Sequence, residues 1–122
     1  MSEHRFRLLV TASRYNVTGE TFFALKDGEL VEIGRNPTGL GHILLAIDDP
    51  KVSLRHAYLL VKGTEILLFD GDPDTRKPSH NGTWFQLNGR LTKISGSQGL
   101  KITAGATFRV GYTNLVLENF AG

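Results

Sequence analysis

No stretch of this chain keeps one hydrophobic period long enough to build a helix. Instead, short runs rich in β-branched and aromatic residues recur from end to end, and Gly, Asn, Asp or Pro interrupts each one. The pattern predicts strands near Phe6 to Ser13, Thr21 to Leu25, Leu30 to Gly34, Ile43 to Ile47, Ala57 to Val61 and Glu65 to Phe69. It continues with Thr83 to Leu87, Arg90 to Ile94, Leu100 to Ile102, Thr107 to Val110 and Thr113 to Leu117. The breakers between them are Asn16 to Gly19, Asp27-Gly28, Pro37 to Gly41, Lys62-Gly63, Ser95 to Gly99 and Gly111. Eleven short strands without a helix define an all-β chain, and a β-sandwich is favoured over a barrel. Asn88-Gly89, between "WFQL" and "RLTKI", reads as a hairpin turn, since both residues tolerate positive φ.

Size and charge narrow the functions open to such a fold. A length of 122 residues suits one core, so residues 1–122 are read as a single domain. The sequence has no Cys, which excludes disulfides and cysteine-ligated zinc and fits a cytoplasmic setting. Apolar runs such as "AYLLV" are far shorter than the roughly 20 residues of a membrane helix, and the N-terminus lacks a signal-like apolar core. Neither a membrane nor a nucleic acid is expected as partner. The net charge is only +2, and the basic residues are scattered among acids. Any anion site must therefore be local, made from a few convergent groups.

Two loops are long for so small a domain, "GRNPTGLGH" and "DGDPDTRKPSHNG", and long loops without secondary structure are usually functional or disordered. Three motifs lie in or beside them. "IGRNP" places Arg35 at a strand end, where a solvated charge is the ordinary reading of an isolated Arg. "VSLRHAYLLV" places Ser53 and His56 just before a strand, where His56 alone would be read as satisfying a buried backbone group. "SHNGTW" places Asn81 and Gly82 in a turn before Trp84, which is expected to pack in the core.

Together the motifs say more. Gly-Arg, then Ser-x-x-His about 18 residues later, then Asn-Gly-Thr and a further Asn-Gly, resemble the forkhead-associated (FHA) domain family over roughly Val31 to Leu117. The resemblance implies an eleven-stranded sandwich whose loops, gathered at one end, bind phosphothreonine peptides. It implies that Arg35 donates to the phosphate and that Ser53 offers hydroxyl and backbone donors to it. Asn81 would hydrogen-bond the peptide main chain. Lys51 matches a position that reads a peptide residue on the C-terminal side of the phosphothreonine, and Arg55 falls among the specificity positions. Gly34, His56, Gly82 and Thr83 would support the site, Gly34 by close backbone approach and His56 by bracing the loops from behind. The chemistry suits this reading, because a phosphate dianion needs several fixed donors and a guanidinium supplies a rigid fork. No cofactor, metal or catalytic residue is implied.

The sequence departs from the family pattern in three places. Leu54 stands where a polar residue commonly adds a phosphate contact, and His80 stands where Ser or Thr is usual. A charged His80 beside the dianion would replace the missing hydroxyl; the other reading leaves it in solvent. The third departure is the inserted "DGDPDTRKP", which would cover or extend the site, and peptide preference would depend on the loops around Lys51, Arg76 and Thr113.

The reading is thus a phosphothreonine-dependent signalling adaptor that recognises a phosphorylated partner, or another part of its own longer parent protein. The sequence ends within a few residues of its last strand, as an excised N-terminal domain would. The alternative is a phosphorylation-independent interaction or oligomerisation module on the same fold. An enzyme is disfavoured: His4, His42, His56 and His80 have no metal-ligand spacing, no nucleotide-binding glycine loop is present, and "DGDPD" lacks the full calcium-loop pattern.

Overall fold

The computed structural model describes residues 4–12, 17–18, 22–37, 43–75, 77–87, 89–94 and 99–119. Their strands are β1 (His4–Ala12), β2 (Val17–Thr18), β3 (Phe22–Lys26), β4 (Leu30–Gly34), β5 (Ile43–Ile47) and β6 (Ala57–Lys62). They continue as β7 (Glu65–Asp70), β8 (Thr83–Leu87), β9 (Arg90–Lys93), β10 (Leu100–Ile102), β11 (Thr107–Val110) and β12 (Thr113–Asn119). All eleven expected strands are present. β2 is an addition inside the expected breaker Asn16 to Gly19, a two-residue edge piece paired with Ile47 and Ala46 of β5.

The strands form two six-stranded sheets, β3-β1-β12-β11-β8-β9 and β10-β7-β6-β4-β5-β2. Alternation fixes which residues meet between them: in β12, Thr113, Leu115 and Leu117 are buried while Asn114, Val116 and Glu118 are only partly covered. Leu8, Leu25, Ile33, Leu45, Leu59, Ile66, Leu68, Phe108 and Leu115 fill the space between the sheets. Taking each of them out of water stabilises the fold by about 1.5–3 kcal/mol. β9 is exposed at all four positions and forms a sheet edge, where Arg90 and Lys93 discourage pairing with another strand.

Register explains why three loops share one end. β4 and β5 are parallel, with Gly34 opposite Ala46. A parallel neighbour runs in the same direction, so β5 ends on the same side of the sheet as β4. The segment that follows β5 therefore emerges beside Arg35. β6 is antiparallel to β4, with Ala57 opposite Ile33, and β7 ends with Asp70 opposite Ala57. Residues 35–37, 48–56, 71–75 and 77–82 thus lie at one end of the sheet. Leu87 pairs with Arg90 across β8 and β9, and Gly89 between them has φ +79°; Asn88, the other residue of the expected turn, lies outside the described residues.

Candidate functional site

The first two loops are zipped together by backbone hydrogen bonds. Arg35 N–H donates to the Ser53 carbonyl (3.0 Å), Asn36 N–H to Leu54 (3.0 Å) and His56 N–H to Ile33 (2.9 Å). This close approach requires glycine at position 34, where a Cβ would lie 2.2 Å from the Leu54 carbonyl oxygen. Arg35 is exposed, and its Nε donates to the Val52 carbonyl at 2.6 Å. That bond orients the guanidinium and leaves its two terminal nitrogens without a partner among the described residues.

His56 joins this pair of loops to the third. Its side chain is completely buried. Nδ1 accepts the Ser53 N–H at 2.9 Å, so Nε2 carries the proton it donates to the Gly82 carbonyl at 2.7 Å. The ring is therefore neutral. Burial pushes its pKa down, outweighing the opposing pull of the Gly82 carbonyl and the Asp70 and Asp49 carboxylates. One sequence-based expectation is corrected here: Ser53 does not have its backbone N–H to offer a phosphate, because His56 takes it. The Ser53 hydroxyl accepts the His80 N–H at 2.8 Å and keeps its own proton to give.

The third loop is held from beneath by Asp70, which the sequence did not single out. Its carboxylate accepts the Ser79 N–H, the Ser79 hydroxyl and the Thr83 hydroxyl (2.7 Å). Ser79 Oγ in turn accepts the Gly82 N–H at 2.9 Å. Gly82 has φ +84°, and a Cβ there would stand 2.7 Å from the Lys93 side chain. Asn81 is exposed; its Nδ2 donates to the Lys51 carbonyl at 2.8 Å, leaving the amide oxygen without a partner among the described residues. Buried Asp49, also missed, accepts the Lys51 N–H (2.8 Å) and the Tyr112 N–H (2.6 Å). Neither Asp stands in a local motif: their partners are as many as 13 and 64 residues away, so no spacing rule could find them.

Trp84 is a second correction. It is only half-buried, and its Nε1 donates to the Asn81 carbonyl at 3.0 Å. The inward position on β8 belongs to Thr83, whose hydroxyl the Asp70 carboxylate satisfies, so alternation turns the indole to the outer face.

The three loops border an open cavity of about 600 Å³ lined by Arg35, Lys51, Ser53, Leu54, Arg55, Asp72, Lys77, His80 and Asn81, among others. Leu54 is 54% exposed there. Arg55 pairs with Asp72 at 2.8 Å. Burial opposes the Asp72 charge, but the Asp74 N–H, Arg55 and the Thr75 hydroxyl outweigh it and hold the carboxyl below the usual carboxylate range. A smaller cavity of about 340 Å³ adjoins at Lys51 and Asn81 and is walled by Trp84, Leu91 and Tyr112. Arg76 and His42 lie outside the described residues.

The architecture is that of a two-sheet sandwich with a cationic cavity built by loops at one end. The FHA domain family model matches residues 31–111, and the chain belongs to that family. It is similar to the FHA domain of the CT664 protein from Chlamydia trachomatis, with 25% identity, a TM-score of 0.69 and coverage of 96% of this chain and 99% of that one. The MEK1 FHA domain in complex with a HOP1 phosphothreonine peptide superposes with a TM-score of 0.64 at 19% identity, covering 94% and 96%. The FhaA FHA domain complexed with the intracellular domain of Rv3910 gives 0.60 at 22% identity, covering 93% and 99%. No curated protein matches in sequence.

Proposed function

We propose that this FHA domain is a protein-interaction module, not an enzyme, and that it binds partners carrying phosphothreonine. One observation carries the reading: the unpartnered end of the Arg35 guanidinium, the Ser53 hydroxyl and the Asn81 amide stand on the wall of a single cavity. A guanidinium fork and a hydroxyl supply charge-assisted donors to a dianion, each hydrogen bond worth roughly 1.5–3 kcal/mol. The Asn81 oxygen is free to accept a peptide N–H. His80 extends the same wall, and Lys51 stands at the junction with the smaller cavity. Similarity to an FHA domain in complex with a phosphothreonine peptide supports the choice of ligand. The partner is a phosphorylated protein or a phosphorylated segment of a longer parent protein.

Calorimetric titration with matched phosphothreonine, phosphoserine and unphosphorylated peptide libraries tests this reading. Binding confined to the phosphothreonine pool and lost in Arg35→Ala supports it. Equal binding of the unphosphorylated pool would favour the phosphorylation-independent module, for which exposed Leu54 is the specific observation.

A further inference from the structure

The described residues of the inserted segment after Asp70 are held by hydrogen bonds of their own. Asp72 N–H donates to the Lys77 carbonyl at 3.0 Å. Gly71, at φ +100°, lets that carbonyl come within 2.3 Å of where a Cβ would stand. Asp72 Oδ1 accepts the Asp74 N–H at 2.8 Å, and Oδ2 accepts the Thr75 hydroxyl (3.0 Å) and Arg55 Nη1 (2.8 Å). Asp72 therefore holds the Lys77 backbone and the Arg55 guanidinium, and both residues line the cavity.

Charge bookkeeping then leaves a surplus. Arg35, Lys51, Arg55 and Lys77 line the cavity against one carboxylate, Asp72. Asp74 also approaches Arg55, at 3.9 Å, but is 61% exposed. A phosphate carries about −1.5 to −2 charges, which does not neutralise the wall. The Arg55 side chain remains 33% exposed, with Nε and Nη2 unpartnered among the described residues, and the exposed Lys77 ammonium has no partner among them. Four cations in one cavity stand out in a protein whose net charge is only +2.

We propose that the Arg55 and Lys77 side of this cavity is a second anion subsite, which takes an acidic group carried by the partner close to its phosphothreonine. The group is a carboxylate of Asp or Glu, or a second phosphate. The inference rests on the phosphothreonine reading above, with Arg35 and Ser53 holding the first phosphate. Held by Asp72, the Arg55 guanidinium is presented without the full cost of ordering a free side chain.

The test is calorimetric titration of phosphothreonine peptides whose flanking residues are all Ala, each then carrying one Asp, or one additional phosphoserine, at successive flanking positions. In the wild type, one short window of positions should show about fivefold tighter binding with Asp and a larger gain with phosphate. Lys77→Gln should abolish most of that gain while binding the Ala-flanked peptide within about twofold of wild type. Arg55→Gln should abolish the gain too. Improvement by the second phosphate alone would assign the subsite to doubly phosphorylated partners, and improvement by both would assign it to anions in general. No gain at any position, or the same gain in Lys77→Gln, overturns the inference while the Ala-flanked peptide still reports the first site. Failure of every phosphopeptide to bind wild type would overturn the phosphothreonine reading and this inference with it.

Discussion

The floor and the rim of the cavity are only a few residues apart in sequence but follow opposite physics. The floor, the layer behind the cavity lining that braces its loops, consists of His56, Asp49 and Thr83, all completely buried, together with Asp70. Among the described residues, no buried side-chain nitrogen or oxygen lacks a hydrogen-bond partner. The rim consists of Arg35, Lys51, His80 and Asn81, all exposed and each with donor or acceptor capacity to spare. Polar groups on the floor are spent on the fold, and polar groups on the rim are kept for a ligand. Ser53 spans both regions, with its N–H committed to His56 and its hydroxyl facing the cavity.

Substitutions on the two sides should therefore separate stability from binding. The largest effect is expected for His56→Ala, which leaves the Ser53 N–H and the Gly82 carbonyl without their partner; urea unfolding should show a loss of about 3 kcal/mol. Next comes Arg35→Ala, expected to weaken phosphothreonine-peptide binding by about 2 kcal/mol, some thirtyfold, in calorimetry. Its unfolding free energy should fall by less than about 1 kcal/mol, since the one bond lost lies at the surface. A His56→Ala protein of wild-type stability would erase the distinction. Asn81→Ala should cost about 1 kcal/mol in affinity, by losing one acceptor for the peptide and the bond that holds the Lys51 carbonyl.

The same comparison can be sharpened with pH. His56 is held neutral in the folded protein, below its ordinary value of 6.5. Between the folded and unfolded values the unfolded protein binds more protons, so stability rises with pH in that window and levels off above about 6.5. Denaturation midpoints should fall as pH drops from 6.5, and the His56→Ala protein should lack this component. The smallest effect is expected far from both regions. Lys101→Ala removes an ion pair with Glu65 whose side chains are 60% and 50% exposed. It should change stability by less than about 0.5 kcal/mol and leave binding unaltered.

How far the sequence disclosed this division depends on the range of each interaction. The strands were legible because alternation and turn chemistry are local, and only two-residue β2, made by pairing rather than by pattern, escaped. Arg35, Ser53, His56 and Asn81 were singled out only by the family resemblance that their joint spacing carries, and the fold brings them to one end of the sandwich. What escaped were bonds between loops. Nothing in "DGDPDTRKPSHNG" shows that Asp70 holds Ser79 and Thr83, or that Asp72 captures Arg55. Trp84 was misplaced for the same reason, since the buried Thr83 hydroxyl is tolerable only with Asp70 beneath it. The commitment of the Ser53 N–H to His56 likewise depends on ring orientation, which a Ser-x-x-His spacing does not encode.

The most direct test of the account is amide chemical-shift mapping of the labelled protein titrated with a phosphothreonine peptide. It predicts perturbations concentrated at Arg35 and Asn36, at Lys51 to Arg55 and at His80 and Asn81, with the turns at Lys62-Gly63 and Gly105 at rest. Perturbations centred on those turns or on the exposed Leu44 of β5, with the three loops unmoved, would contradict it.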